Sequence, residues 1–425
     1  MTVALALALV VAAAPEALSA DAAVARALAH HPALGALTAR VREAEAARSA
    51  AFDLENPELR VRHRHPERVL SPAFGKAPDP YPFDGALLGL RWDPPSLASF
   101  GPRQAAAERE VEQRRALLEE ERRALAASVR KLHAEALSLE ERLALADDAV
   151  RLAALLTELS KERSRQGLGT ALDESLAGLD LLEATGDLEE LRSRHRAVYH
   201  ELLALAALPL DAEVVLVAPE ARACRAPTDD APALAERALM ASPELAAARA
   251  GVLEEEARLL SAWLANVPWL TFVELDLVAG DRNEPDAVGF NIGVELPLLD
   301  WRLSEIDRSR AERERRAAEA RGLRLATATR VRRAAEDLSS KSRLVELYEA
   351  QQASLIDGSI AQVEAALAAG EVDAMKAALV RARALKAKRD LLRARLACEH
   401  AAIDLARLLG EVLPPSDDEN KEPTP

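Results

Sequence analysis

Apolar positions recur at helical spacing along most of the chain and alternate strictly in only two short regions. Between Arg103 and Arg165 there is neither proline nor glycine, and Ala, Leu, Arg and Glu dominate. Strong helix formers with Leu and Ala at core spacing predict one continuous helix, about 95 Å long at about 1.5 Å per residue. Gly167-Leu168-Gly169-Thr170 interrupts the pattern, and helix resumes over 173–207. A first helix is expected from Asp21, as N-cap, to Phe52, broken or kinked at Pro32. The second half repeats the plan: helix over 233–266, extended chain over 267–301, and a long helix over 302–369. A break at 370–373 then leads into helix over 374–409. Gly410 is the expected helix stop, and Pro414 and Pro415 forbid continuation.

The repetition extends to the letters. Arg26-Ala27-Leu28-Ala29-His30-His31-Pro32-Ala33-Leu34 returns as Arg237-Ala238-Leu239-Met240-Ala241-Ser242-Pro243-Glu244-Leu245, with Arg, Ala, Leu, Pro and Leu in register. A repeat this long is a duplicated structural unit, not a solenoid element. The chain thus divides into a leader at 1–20, a first repeat at 21–207, a Pro-rich linker at 208–232 with a short strand at Val214–Val217, a second repeat at 233–410 and an acidic, disordered tail at 411–425.

Alternation is confined to the extended patches. Phe290, Ile292, Val294 and Leu296 share one face, with Asn291, Gly293 and Glu295 opposite. Trp269, Val273, Leu275 and Leu277 are expected on one face against Glu274 and Asp276, with Phe272 departing. Leu88, Leu90 and Trp92 oppose Gly89 and Arg91, and the basic run 59–65 is the weakest strand signal. Apart from Tyr199 and Tyr348, every Phe, Trp and Tyr lies in 52–100 or 263–301. Period-2 segments of about ten residues, apolar outward and polar inward, mark transmembrane β-barrel strands, though half-buried soluble strands give the same pattern. Four strands in one chain cannot close a barrel, and open edges are forbidden in lipid, so membrane strands would have to be pooled by several chains.

Composition narrows the classes. The low aromatic content, 3%, fits long helices, and a net charge of −15 argues against nucleic acid as partner. The apolar run Val3 to Ala14 followed by Ala17-Leu18-Ser19-Ala20 reads as a secretory leader ending before Asp21, although no Lys or Arg precedes it. No later stretch is long and apolar enough for a transmembrane helix. Cys224 and Cys398 are the only cysteines, and their spacing leaves open whether they pair or stay as thiols.

The doubled Ala-Leu…Pro-x-Leu opening resembles the TolC family of outer-membrane efflux channels. So do the strand Gly289…Gly293-Val294-Glu295-Leu296-Pro297-Leu298-Leu299-Asp300 leading into a long helix, and Arg163 to Asp173 at the first hairpin tip. The resemblance covers nearly the whole chain beyond the leader. It implies a mainly α fold of duplicated helical hairpins forming an α-barrel, with four strands per chain entering a trimeric twelve-stranded β-barrel. It also implies a passive conduit in the outer membrane, extending into the periplasm and meeting a periplasmic adaptor and an inner-membrane pump. Gly167, Leu168, Gly169 and Thr170 would form the adaptor-docking tip, where turn chemistry alone would also explain the glycines. Glu371 and Asp373 would ring the periplasmic aperture. Leu88, Leu90, Trp92, Val273, Leu275, Phe290, Ile292, Val294 and Leu296 would face lipid.

No catalytic or cofactor signature appears: no P-loop, dinucleotide fingerprint, nucleophile elbow or H-E-x-x-H. His63-x-His65 has ligand spacing, but Arg60, Arg62 and Arg64 oppose a cation there. The expectation is therefore a non-enzyme without metal or cofactor. The competing reading is a periplasmic or cytosolic coiled-coil scaffold or adaptor without a membrane barrel.

Overall fold

The structure is a computed structural model that describes residues 16–51, 53–64, 85–219, 224–278, 287–296, 301–351, 358–369 and 374–412. The predicted aperture residues Glu371 and Asp373, both strand-connecting loops, the tail from residue 413 and most of the leader lie outside these residues. Glu411 and Val412, expected in a disordered tail, are instead held in the fold by burial of Val412 at 2% exposure.

Helices dominate. After β1 (Glu16–Leu18) come α1 (Ala20–His30) and α2 (Pro32–Ala50), then β2 (Glu58–Arg64) and β3 (Gly85–Trp92), and the long α3 (Leu97–Arg165) and α4 (Ala171–Leu205). The short β4 (Val214–Leu216) precedes the second set: α5 (Ala231–Ala241), α6 (Pro243–Leu264), β5 (Trp269–Val278), β6 (Ala287–Glu295), α7 (Leu303–Gln351), α8 (Gly358–Ala368) and α9 (Ala374–Leu409). Both halves therefore run helix, helix, strand, strand, long helices. The expected single helix over 233–266 is in fact two, because Pro243 starts α6 just as Pro32 starts α2. A proline fits the first helical position, where its missing N–H has no intrahelical partner. The long helix begins at Leu97 and carries Pro102 inside it; a single lost hydrogen bond is outweighed by the turns around it.

Two compact units result. One is drawn from residues up to Ala36, Leu118–Pro243 and Arg324 onward, the other from Leu37–Leu117 and Glu244–Leu323. Each sequence repeat contributes to both units.

The first unit holds two cores. In one, Leu18, Val24, Val129, Leu139, Leu202, Leu216 and Val412 pack together. In the other, Leu234, Ala238, Val331, Val345, Cys398 and Leu405 are buried, with Cys224 and Tyr348 against them. Cys224 and Cys398 form a disulfide, tying the end of the linker to α9. Spacing alone had left this open.

The N-terminus departs from expectation. Glu16–Leu18, assigned by sequence to the leader, pairs in parallel with Val214–Leu216, and Ser19 rather than Asp21 caps α1 by accepting from the Ala22 N–H at 3.2 Å. Asp21 instead sits in the first turn and pairs with Arg130 at 2.6 Å. The physical reason is burial: Leu18 is 3% exposed, and a core leucine holds its neighbours in the fold.

Helix ends follow a common device. At α9, the Glu411 N–H donates to the Ala406 carbonyl at 2.8 Å and that of Gly410 to Arg407 at 3.2 Å, with Gly410 at φ +84°. Ala207 makes the same closure after α4 at φ 51°, a conformation that favours glycine.

An inverted sheet and a capped hairpin tip

The second unit carries a four-stranded antiparallel sheet in the order β2-β3-β5-β6. Its register sorts side chains into rows, because directly paired residues share a face. One row is Leu59, Leu90, Leu275 and Phe290, the next Val61, Leu88, Leu277 and Val288, and a third Trp92, Val273 and Ile292. The opposite face carries Arg60, Gly89, Asp276 and Gly289 in one row and Glu58, Arg91, Glu274 and Asn291 in another.

Burial is inverted relative to a water-soluble sheet. Val61 is 70% exposed and Phe290 63%, whereas Glu274 on the charged face is 7% exposed. Leu88, Leu90, Trp92, Leu275, Ile292, Val294 and Leu296 are exposed as well, while Val273 is half-buried. Leu296 follows directly after the end of β6. A contiguous exposed apolar face of this extent marks a surface that meets something other than water.

The charged face is knitted together. Arg60 Nη1 stands 3.6 Å from Glu274 Oε1, Asn291 Nδ2 donates to Asp276 Oδ2 at 2.8 Å, and the Arg91 guanidinium lies 4.3 Å above the Phe272 ring. Two glycines make room. A Cβ at Gly89 would sit 2.5 Å from Asp276 Oδ1, and one at Gly293 would sit 2.3 Å from Phe272 Cε1.

One assignment needs correction. A register shift between Leu270 and Phe272 pairs Trp269 with Glu295 and Leu270 with Val294. The bulge moves Trp269 to the charged side, away from Val273, where its Nε1 donates to the Pro94 carbonyl at 3.2 Å. An extra residue in a strand reverses the alternation on either side of it. Phe272, apolar on the Glu274 side, keeps that place by plain alternation and lies beyond the shift.

At the other candidate site, the connection between α3 and α4 belongs to the first unit. Gly167 (φ +71°) and Leu168 close α3 through bonds to Ser164 and Arg163, at 3.1 and 2.9 Å. Thr170 then opens α4 in a reciprocal capping box with Asp173. Asp173 is held below the usual carboxylate range, first by the Thr170 N–H and then by its hydroxyl. A Cβ at Gly169 would meet Arg163 Cβ and the Ser164 backbone N at 3.4 Å, the near edge of ordinary contact. Gly167 and Thr170 are thus accounted for by turn geometry. Leu168, 68% exposed, is not. It is followed along α4 by exposed Leu172, Leu176 and Leu179. Leu176 also borders a cleft of about 300 Å³ lined by Leu156, Ser160, Arg163, Met375 and Leu379.

Among the described residues, no three His, Cys, Asp or Glu side chains group as a metal site requires, and no helix is long and apolar enough to cross a membrane.

No protein-family model matches the sequence, and no curated protein matches it. Solved structures do match. The CmeC outer membrane channel of Campylobacter jejuni aligns over 95% of this chain and 88% of its own, with TM-score 0.75 and 14% identity. The outer-membrane channel OprN aligns over 92% and 90%, at 0.73 and 16%. The outer membrane protein VceC of Vibrio cholerae aligns over 92% and 96%, at 0.71 and 15%. The mainly α fold of long, duplicated helices with a small β part, expected from the TolC-family resemblance, is therefore the fold of this chain.

Proposed function

We propose that the chain is the outer-membrane channel of a tripartite export system, a passive conduit that spans the outer membrane and extends into the periplasm. The observation that carries this reading is the inverted sheet: an exposed apolar face backed by a charged, hydrogen-bonded one. In lipid the apolar rows would face acyl chains, and Arg60, Arg91, Glu274 and Asp276 would face a wet lumen. The edges β2 and β6 are filled when copies of the chain supply their own edges, so three chains contribute twelve strands. The chain moves no solute by its own chemistry; an inner-membrane pump supplies the energy. A periplasmic adaptor meets the α3–α4 tip at Leu168 and its neighbours, and Glu371 and Asp373 ring the aperture at the second tip. A soluble coiled-coil scaffold would have no use for this apolar sheet face.

The test is fractionation of cells expressing the chain, with unheated and boiled outer-membrane samples run side by side. A trimer-sized band that collapses to monomer on boiling is the expected result. A soluble monomer would overturn the reading.

A further inference from the structure

The residues between the apolar leader and α1 are built into the fold, and this bears on where the leader is removed. We propose that the exported chain is cut N-terminal to Glu16, within Ala12-Ala13-Ala14-Pro15, and not at the Ala20–Asp21 bond that the small residues before Asp21 suggest. The inference rests on the export reading above.

The Ala20–Asp21 bond lies inside the first turn of α1. Losing residues up to Ala20 would remove the Ser19 cap, whose carbonyl also accepts from the Ala23 N–H at 2.9 Å. It would remove all of β1 and its parallel pairing with β4. It would empty the position of Leu18 among Val24, Val129, Leu202, Leu216 and Val412. Two donors would lose their acceptor: the Val217 N–H, 3.1 Å from the Leu18 carbonyl, and His133 Nε2, also 3.1 Å from it and on a side chain only 1% exposed. Buried polar groups left without partners are costly. The new α-ammonium at Asp21 would also stand at the positive end of the α1 dipole.

Upstream, the sequence offers what a leader peptidase reads. The apolar run closes on Val11-Ala12-Ala13-Ala14, small residues at the spacing such enzymes select. The step is hydrolysis: water adds across one peptide bond, leaving a carboxylate on the leader and a free α-amine on the mature chain.

The first test is N-terminal sequencing, with intact mass, of the full chain purified from the envelope fraction. A start between Ala13 and Glu16 is expected, and a start at Asp21 overturns the proposal while leaving the channel reading intact. An unprocessed Met1 in the envelope also overturns the proposal alone. An unprocessed Met1 confined to the soluble fraction overturns both. The second test reads processing before folding matters. In a pulse-chase, Ala20→Arg should be processed within twofold of the wild-type rate, and a tenfold loss would place the scissile bond at Ala20 after all.

Discussion

Leu275 and Phe290 stand directly opposite each other across β5 and β6 on the exposed face, while their neighbours Glu274 and Asn291 pair on the other side of the sheet. One residue of displacement along each strand separates an apolar surface from a charged one. The consequence for membrane insertion is direct. Leu275→Arg or Phe290→Arg should cost about 2–4 kcal/mol if the side chain lies near the bilayer midplane. The heat-dissociable band should then fall at least tenfold in the envelope fraction. Asn291→Ala should leave it unchanged. Wild-type recovery of both arginine variants would show that this face does not meet lipid.

At the hairpin tip, turn chemistry and docking can be separated. Thr170→Ala removes half of the capping box and should lower stability by about 1 kcal/mol. Leu168→Asp leaves every turn hydrogen bond in place, because none of them uses the Leu168 side chain. That variant should melt within about 0.5 kcal/mol of wild type yet lose at least tenfold in export of a pump substrate. Unchanged export with Leu168→Asp would remove the tip from the docking surface.

The Cys224–Cys398 bridge closes a loop with a sequence separation of 174. Constraining a loop of that size in the unfolded chain is worth up to about 5 kcal/mol in the chain-entropy account. Reductant, or Cys224→Ser, should therefore lower the melting temperature of the purified protein. An identical melt with and without reductant would show that the bridge constrains nothing.

His133 gives a pH dependence of known sign. Burial holds its imidazole below the ordinary histidine range, and Arg130 adds to this, while the Leu18 carbonyl, Glu140 and Asp21 work in the other direction. The unfolded chain takes up a proton near pH about 6.5 that the folded chain refuses. Stability is thus whole above that pH and falls below it, by up to about 1.4 kcal/mol per pH unit. His133→Gln, which keeps a donor for the Leu18 carbonyl, should flatten the slope between about pH 7 and pH 5 in denaturant melts. A slope as steep as wild type would remove His133 from the transition.

The sheet was legible in sequence because alternation survives wherever one residue opposes one. It failed at Trp269, where an extra residue before Phe272 reverses the faces and leaves no sign in composition. The helix over 374–409 was read to the residue, since Gly410 and the prolines after it punctuate clearly. The break at Ser242-Pro243 was missed although Pro32 had been recognised, because helical periodicity on both sides outweighed one proline. Ser19 and Leu18 read in sequence as leader because of their small, apolar character, and the contacts of this segment with Val214–Leu216 and His133 leave no mark in the letters. The disulfide depended on tertiary proximity, which spacing does not encode. At the tip the glycines were the visible signal, yet Gly167 is explained by its left-handed turn alone, while the exposure of Leu168 could not be read from sequence.

The sheet order leaves β2 and β6 as unpaired margins on every copy, and this has a genetic consequence. If a closed barrel needs both margins of all three chains, one copy with a proline in β6 spoils the assembly it joins. In a cell making equal amounts of intact and damaged chain, random mixing leaves only about one assembly in eight free of damaged copies. Such an allele would act dominantly, with export falling far below half.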